Sequence, residues 1–388
     1  MDIRTEQIAR MIIESGAADI REIPEKVSNE EVSLLLLKHQ PFLYSSGNWG
    51  PGYISIKGMV SFPEKMDAMG NELGRKVSQG GHKVKFVAGN LTGGVIPAWI
   101  LKNYLSREYN IPIGFLYVYG SRSLDGKRRL VAIDESNWPL LLNGFRSSIQ
   151  NSQNEGLSFD FIAGCVPTGM PFAYELSKEF NVPFVYIREE RKKGGHKELI
   201  TGNKNNPLIQ YGQTGLVIGK TEDLFASSQA GVEILENEGY NGMSIGPILR
   251  DDSPFLSEFA EKITYDIQGD PQKREGLFAG GNIGIDIEEL VNYSQTTCTS
   301  CLSLRLRGYQ IRQAGTILYY DNPTANSALE DNGIEMIYVI KLRDVIEVAK
   351  KMGRFSPKAI DDYLSFLSNP SQWQKTRGLT PIQGGGTL

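Results

Sequence analysis

The chain has 388 residues, 40% hydrophobic and 22% charged, with 42 glycines and 18 prolines, which excludes a disordered, collagen-like or coiled-coil protein and allows more than one core. With 41 Lys and Arg against 45 Asp and Glu, the net charge of −4 supplies no field to hold nucleic acid or an anionic bilayer, so any anion site must be local. Apolar runs such as residues 34–37 fall far short of the ~20 residues that a membrane helix needs, and a charged start with three cysteines predicts a soluble chain in a reducing cytoplasm.

Along the chain, Ile8, Ile12 and Ile13 recur at helical spacing. Asn29, Glu30 and Glu31 before Leu34 to Leu37 predict a capped second helix that Pro41 stops, so residues 1–40 are expected as N-terminal helices. Residues 42–58 turn aromatic and glycine-rich (Phe42, Tyr44, Trp49, Gly50, Tyr53), which suits a loop and strand at a pocket. Beyond them a strand at Val84 to Ala88, a turn at Gly89 to Gly94 and a helix through Trp99, Leu101 and Tyr104 open an alternation that predicts an α/β fold with parallel sheets. Ligands on such sheets sit at the carboxyl ends of the strands.

An internal repeat organises the rest. FVAGNLTGGVIP at 86–97 is echoed by FIAGCVPTGMP at 161–171, and each is followed by a helix and a second strand, 111–122 and 182–191. A third element occurs at 215–240 and again at 283–309. The order is therefore first, second, first, second, third, third. A tandem duplication would not read so, and a module at 149–274 nested inside another at 41–148 and 275–388 does, since surface loops tolerate insertions. One irregular sheet with chance similarity is the alternative.

The glycine turns at 89–94 and 164–169 allow backbone N–H groups to approach a phosphate, with a helix N-terminus behind them. Residues 186–197, YIREERKKGGHK, run from a strand into a cationic loop hinged on glycine, suited to closing over a polyanion. The enclosing copy has Tyr119 where the enclosed one has Arg188, and it lacks the histidine. Glu288 and Glu289 after the apolar strand 283–287 can accept from two sugar hydroxyls and stand near a hydrated Mg²⁺. On an ungapped register Gly219 and Lys220 replace them in the enclosed copy. Cys298 and Cys301 have no second pair and read as ordinary helix-start residues. The sequence has no Walker P-loop and no GxGxxG fingerprint with its downstream acid.

These elements, in this order, make the chain resemble the type I phosphoribosyltransferases, the orotate phosphoribosyltransferases above all. Residues 42–53, FLYSSGNWGPGY, are similar to that family's hood, and 342–347 with 368–373 to its closing helix and its ending. The resemblance implies two type I phosphoribosyltransferase-like parallel-sheet modules, one inserted in the other. It also implies transfer of 5-phosphoribosyl from Mg²⁺-bound 5-phosphoribosyl 1-diphosphate to orotate, with pyrophosphate released. By the same resemblance Thr92, Gly93 and Gly94 would bind pyrophosphate, and Glu288 and Glu289 the ribose hydroxyls and, through water, Mg²⁺. Thr296, Thr297 and Ser300 would take the 5′-phosphate, Tyr53 would belong to the hood, and Arg188, Lys192, Lys193 and His196 would form the catalytic closing loop. Family dimers cover one subunit's site with the other's loop, so a pseudo-dimer in one chain with a single shared site is expected, with further homo-oligomers left open. The phosphate-cradling run lacks its central glycine in each register, and the hood's usual Lys and Arg are Ser45 and Asn48. Another acceptor base, or a non-catalytic binding or regulatory protein of this fold, are therefore the alternatives.

Overall fold

The computed structural model describes residues 1–27, 32, 35–44, 47–119, 129–133, 138–190, 198–204, 206–221, 223–248, 264–266 and 282–381. In chain order the elements are α1 (Ile3–Glu14), β1 (Ala18–Ile20), β2 (Phe42–Leu43), β3 (Trp49–Gly50), β4 (Gly52–Ile54), α2 (Pro63–Gln79), β5 (Phe86–Asn90), α3 (Val95–Tyr109), β6 (Gly114–Tyr119) and β7 (Arg129–Ile133). There follow α4 (Trp138–Asn154), β8 (Phe161–Cys165), α5 (Gly169–Glu179), β9 (Phe184–Ile187), β10 (Ile200–Thr201), β11 (Thr214–Ile218), α6 (Leu224–Asn237), β12 (Asn241–Ile245) and β13 (Thr264–Asp266). The chain closes with β14 (Ile283–Val291), α7 (Gln295–Arg305), β15 (Gln310–Tyr319), α8 (Pro323–Asp331), β16 (Glu335–Lys341), α9 (Leu342–Lys351), α10 (Pro357–Ser368) and α11 (Pro370–Thr376).

Two compact units divide these residues, the first Met1–Ile56, Arg191–Glu198 and Ile340–Leu388, the second Lys57–Glu190 and Leu199–Val339. In the first unit Asp2 caps α1 by accepting from the Thr5 amide, and the buried stripe Ile8, Ala9, Ile12 and Ile13 packs on α9. The expected second helix falls largely outside the described residues; its described end is a single 3₁₀ turn at Leu37–His39, and β1 takes residues read from the sequence as helical. Residues 42–54 make two short antiparallel ribbons instead of one strand, β2 with β3 and β1 with β4. They are tied to the C-terminal helices: Gln374, 1% exposed, accepts from the Trp49 amide at 2.9 Å, and a Cβ on Gly52 would stand 2.7 Å from the Tyr363 ring.

The second unit holds two sheets. One runs β13-β7-β6-β5-β14-β15-β16 and the other β10-β9-β8-β11-β12 among the described residues. Their central ladders share one register. Gly284 pairs with Phe86 and Ile287 with Gly89 in the first sheet, as Gly215 pairs with Phe161 and Ile218 with Gly164 in the second. Each sheet carries an apolar core at matching positions, Phe86, Ala88, Leu116, Val118, Leu304 and Tyr309 in one and Phe161, Ala163, Val185, Ile187, Leu235 and Tyr240 in the other. Two copies of one α/β module are present, and the enclosed one interrupts the sequence of the other. The boundary expected at 148/149 falls inside α4, which packs on the enclosed copy through Ser148 Oγ donating to the Gly246 carbonyl at 2.6 Å.

Within this unit α3 packs on its repeat equivalent α5. The Trp99 indole donates to Glu175 Oε1 at 2.7 Å, Trp138 stacks on Phe172 at 3.6 Å between centroids, and the Tyr174 hydroxyl donates to Asp67 Oδ1 at 2.8 Å. Such aromatic pairs add roughly 0.5–1.5 kcal/mol each beyond the area they bury.

Candidate functional site

The site grows from the carboxyl end of β5. Asn90 ends the strand and its carbonyl accepts from the Gly94 amide at 2.9 Å, folding residues 91–94 into a tight turn that leads into α3. Two close approaches make glycine necessary there. A Cβ on Gly94 would collide with the Ile287 carbonyl of β14, and one on Gly93 would collide with the Glu289 carboxylate. The turn and the acidic strand predicted from sequence therefore meet.

Glu288 and Glu289 do not follow the strand as expected. β14 runs on to Val291, so both acids lie inside it, where successive side chains turn to opposite faces. Glu289 sits against Gly93, while Glu288, 8% exposed, is on the side of Asp286. Asp286 was not singled out from sequence, because one acid in an apolar strand gives no spacing signal. It is fully buried and accepts from Asn90 Nδ2 at 2.9 and 2.8 Å and from Ser300 Oγ at 2.6 Å. Ser300, 0% exposed and expected among the phosphate-binding residues, donates its hydroxyl to Asp286. Thr296 and Thr297 occupy the first turn of α7, where backbone N–H groups lack helical partners; Thr297 is buried and Thr296 half-buried.

Arg188 comes from the other module. Just beyond β9, its amide donates to the Leu199 carbonyl at 2.8 Å. Its guanidinium, 7% exposed, donates to Thr92 Oγ1 at 2.6 Å, Thr201 Oγ1 at 3.0 Å and the Tyr186 hydroxyl at 3.1 Å. The planar fork suits this three-way arrangement, which an ammonium could not reproduce. Lys192, Lys193 and His196 lie outside the described residues, as does Ser45 of the hood. Tyr53 is in the first unit, on β4, with its ring 5.7 Å from Phe42.

The enclosed module's own turn is filled. Pro167, which has no N–H, stands at the place of Thr92, and Thr168 at that of Gly93. Thr168 is buried and its hydroxyl accepts from the Thr221 amide at 2.9 Å. Gly219 and Lys220 replace the two acids, as the ungapped register implied, and Lys220 pairs with Glu189. Burial pushes the Cys165 thiol at the end of β8 up to about 12, with Glu189 adding to the shift and Lys220 opposing it.

Glu289, the carboxylate beside the glycine turn, fits a cation held jointly with substrate oxygens and water, the usual habit of Mg²⁺. Among the described residues no group of three His, Cys, Asp or Glu side chains could hold a metal directly. No helix among them is long and apolar enough to cross a membrane.

Comparison with known proteins gives one consistent theme. The orotate phosphoribosyltransferase of Ruegeria sp. is 26% identical over 107 residues, 27% of this chain and 47% of that protein. That of Sinorhizobium medicae is 21% identical over 221 residues, 57% of this chain and 63% of its own. The chain thus spans about half to two thirds of the length of these relatives. Among solved structures, orotate phosphoribosyltransferase from Francisella tularensis aligns with a TM-score of 0.37 at 7% identity, over 93% of this chain and 98% of that one. Leishmania donovani UMP synthase aligns with a TM-score of 0.32 at 13% identity, over 94% of this chain and 42% of that one. No protein-family model matches the sequence. By its two glycine-turn modules and its curated relatives, the chain resembles the type I phosphoribosyltransferase family, most of all the orotate phosphoribosyltransferases.

Proposed function

We propose that the chain is a phosphoribosyltransferase with one working site built by both modules, a pseudo-dimer within a single polypeptide, and that orotate is its acceptor base. The turn Thr92, Gly93 and Gly94 takes the pyrophosphate of 5-phosphoribosyl 1-diphosphate, and Arg188 neutralises the charge that grows as pyrophosphate leaves. Glu289 and Glu288 serve the ribose hydroxyls and, through water, Mg²⁺. When bound, the cation supplies charge stabilisation to the leaving group. Thr296 and Thr297, at the start of α7, offer backbone N–H groups to the 5′-phosphate. The loop residues Lys192, Lys193 and His196 close over the donor and exclude water.

The observation that carries this reading is the 2.6 Å bond from Arg188 of the enclosed module to Thr92 of the enclosing one. It agrees with the division of labour between the copies: the enclosing copy keeps Gly93 and the two acids, while the enclosed copy has Thr168 at the place of Gly93, Gly219 and Lys220 at those of the acids, and supplies the cation Arg188. The test is pyrophosphate release from the donor with Mg²⁺ and orotate. Release with orotate supports the proposal in full, and release only with another base moves the acceptor. Failure to bind the donor at all leaves a non-catalytic protein of this fold. A Lys193→Ala, His196→Ala double variant with undiminished transfer would remove the closing loop from the mechanism.

A further inference from the structure

Asn90, Asp286 and Ser300 form a fully interior polar cluster beneath the turn. Their repeat equivalents in the enclosed module are Cys165 and Val217, by the matching ladders of the two sheets, and Gly231, by the ungapped sequence register that sets Gly308 opposite Gly239. Those three also touch: a Cβ on Gly231 would stand 2.7 Å from Val217 Cγ1 and 2.9 Å from Cys165 Sγ. Cys165 and Val217 are members of the enclosed module's apolar core, whereas Asn90 and Asp286 interrupt the matching core of the enclosing one. The fold therefore accepts an apolar trio at this place, and an apolar trio avoids the desolvation cost of a buried carboxylate.

What the polar trio adds is fixed spacing. Asn90 opens the turn through its carbonyl, which accepts from the Gly94 amide. Asp286 precedes the Ile287 carbonyl that Gly94 rests on, and Glu289 lies three residues on. Ser300 carries the same carboxylate's hold into α7, five residues beyond its start. One side chain, Asp286, is thus bonded to the elements proposed to hold pyrophosphate and 5′-phosphate, and lies on the strand of the two acids.

We infer that Asn90, Asp286 and Ser300 are positioning residues that set the distance between the pyrophosphate turn and the acidic strand. As a statement about donor binding this rests on the function proposed above; as a statement about the turn it does not. The test replaces the trio with the enclosed module's own set, Asn90→Cys, Asp286→Val and Ser300→Gly, beside the single variants Asp286→Asn and Ser300→Ala, in the full chain. Without substrates, amide exchange at residues 91–94 and 288–289 is expected to rise at least tenfold in the triple variant while the strand centres keep their protection. The donor KM is expected to rise about tenfold, with the KM for the base unchanged. Unchanged exchange at the turn overturns the inference, as does unchanged donor KM in an active enzyme. If the triple variant does not fold, the single variants decide by the same measurements; exchange rising equally throughout the sheet would make the trio a fold element and also overturn it. If wild type binds no donor, the proposed function fails, and the exchange data alone judge the trio.

Discussion

Arg188 and Thr92 stand 96 positions apart in sequence and in different copies of a repeated module, yet the guanidinium of one donates to the hydroxyl of the other at 2.6 Å. The same guanidinium is held by Thr201 and lies 4.8 Å from the Tyr186 ring centroid, so it is aimed before any ligand arrives. A preset cation over a glycine turn is the arrangement that stabilises charge on a leaving group without reorganisation.

Arg188→Lys keeps the charge and loses the fork. We expect transfer to fall by about one to two orders of magnitude in kcat/KM, read from steady-state pyrophosphate release, because one ammonium nitrogen cannot occupy both guanidinium positions, one donating to Thr201 and the other to Thr92 and Tyr186. Thr92→Val, which removes one acceptor and keeps the shape, should cost less than Arg188→Ala.

Gly93 and Gly94 should fail in different ways. The Cβ of Gly94→Ala meets the backbone carbonyl of Ile287, which cannot step aside, so a loss of about 1–3 kcal/mol in chemical denaturation is expected. The Cβ of Gly93→Ala meets the Glu289 side chain first, which can turn aside, so stability should change less while donor binding weakens. Gly246→Ala, with no atom within 4 Å of the new Cβ, is the control and should stay within about 0.5 kcal/mol.

Glu289 places a carboxylate over Gly93, where pyrophosphate is proposed to lie. Two anions repel there unless a cation bridges them. Glu289→Gln should therefore bind pyrophosphate about five- to tenfold more tightly than wild type in chelator, by calorimetry, and gain less from added Mg²⁺. Equal Mg²⁺ dependence in both proteins would place the cation elsewhere.

Tyr174 joins α5 to α2 within the second unit, its hydroxyl donating to Asp67. Burial first, then the nearby Asp67, Glu175 and Glu64 carboxylates, hold its pKa well above the usual 10. The folded state keeps a proton that the unfolded chain releases, so this contribution is complete below about pH 10 and is lost as pH rises beyond it. Tyr174→Phe should cost about 1–2 kcal/mol near neutrality and flatten the fall in melting temperature above pH 10.

Much of the fold was legible because strand and helix periods and glycine turns are local properties of sequence. The repeat, its nesting and the loss of both acids in the enclosed copy could be read from spacing alone, since one register carries through both modules. Less was legible near residue 20, where a three-residue strand pairs with Gly52–Ile54 more than thirty positions away and its partner, not its own composition, defines it. The same holds for the acids: sequence finds Glu288 and Glu289, but the length of β14 beyond them depends on pairing with β15, which runs as far as Val291 opposite Tyr319.

The sequence by itself determined the module and its duplication, the position of each glycine turn, and which copy keeps acids and which keeps cations. Tertiary structure alone decided that Arg188 reaches Thr92, that Glu289 covers Gly93, and that Asp286 binds Asn90 and Ser300. Each of these is a contact between distant segments, fixed by how helices and sheets pack, and no periodicity along the chain records it.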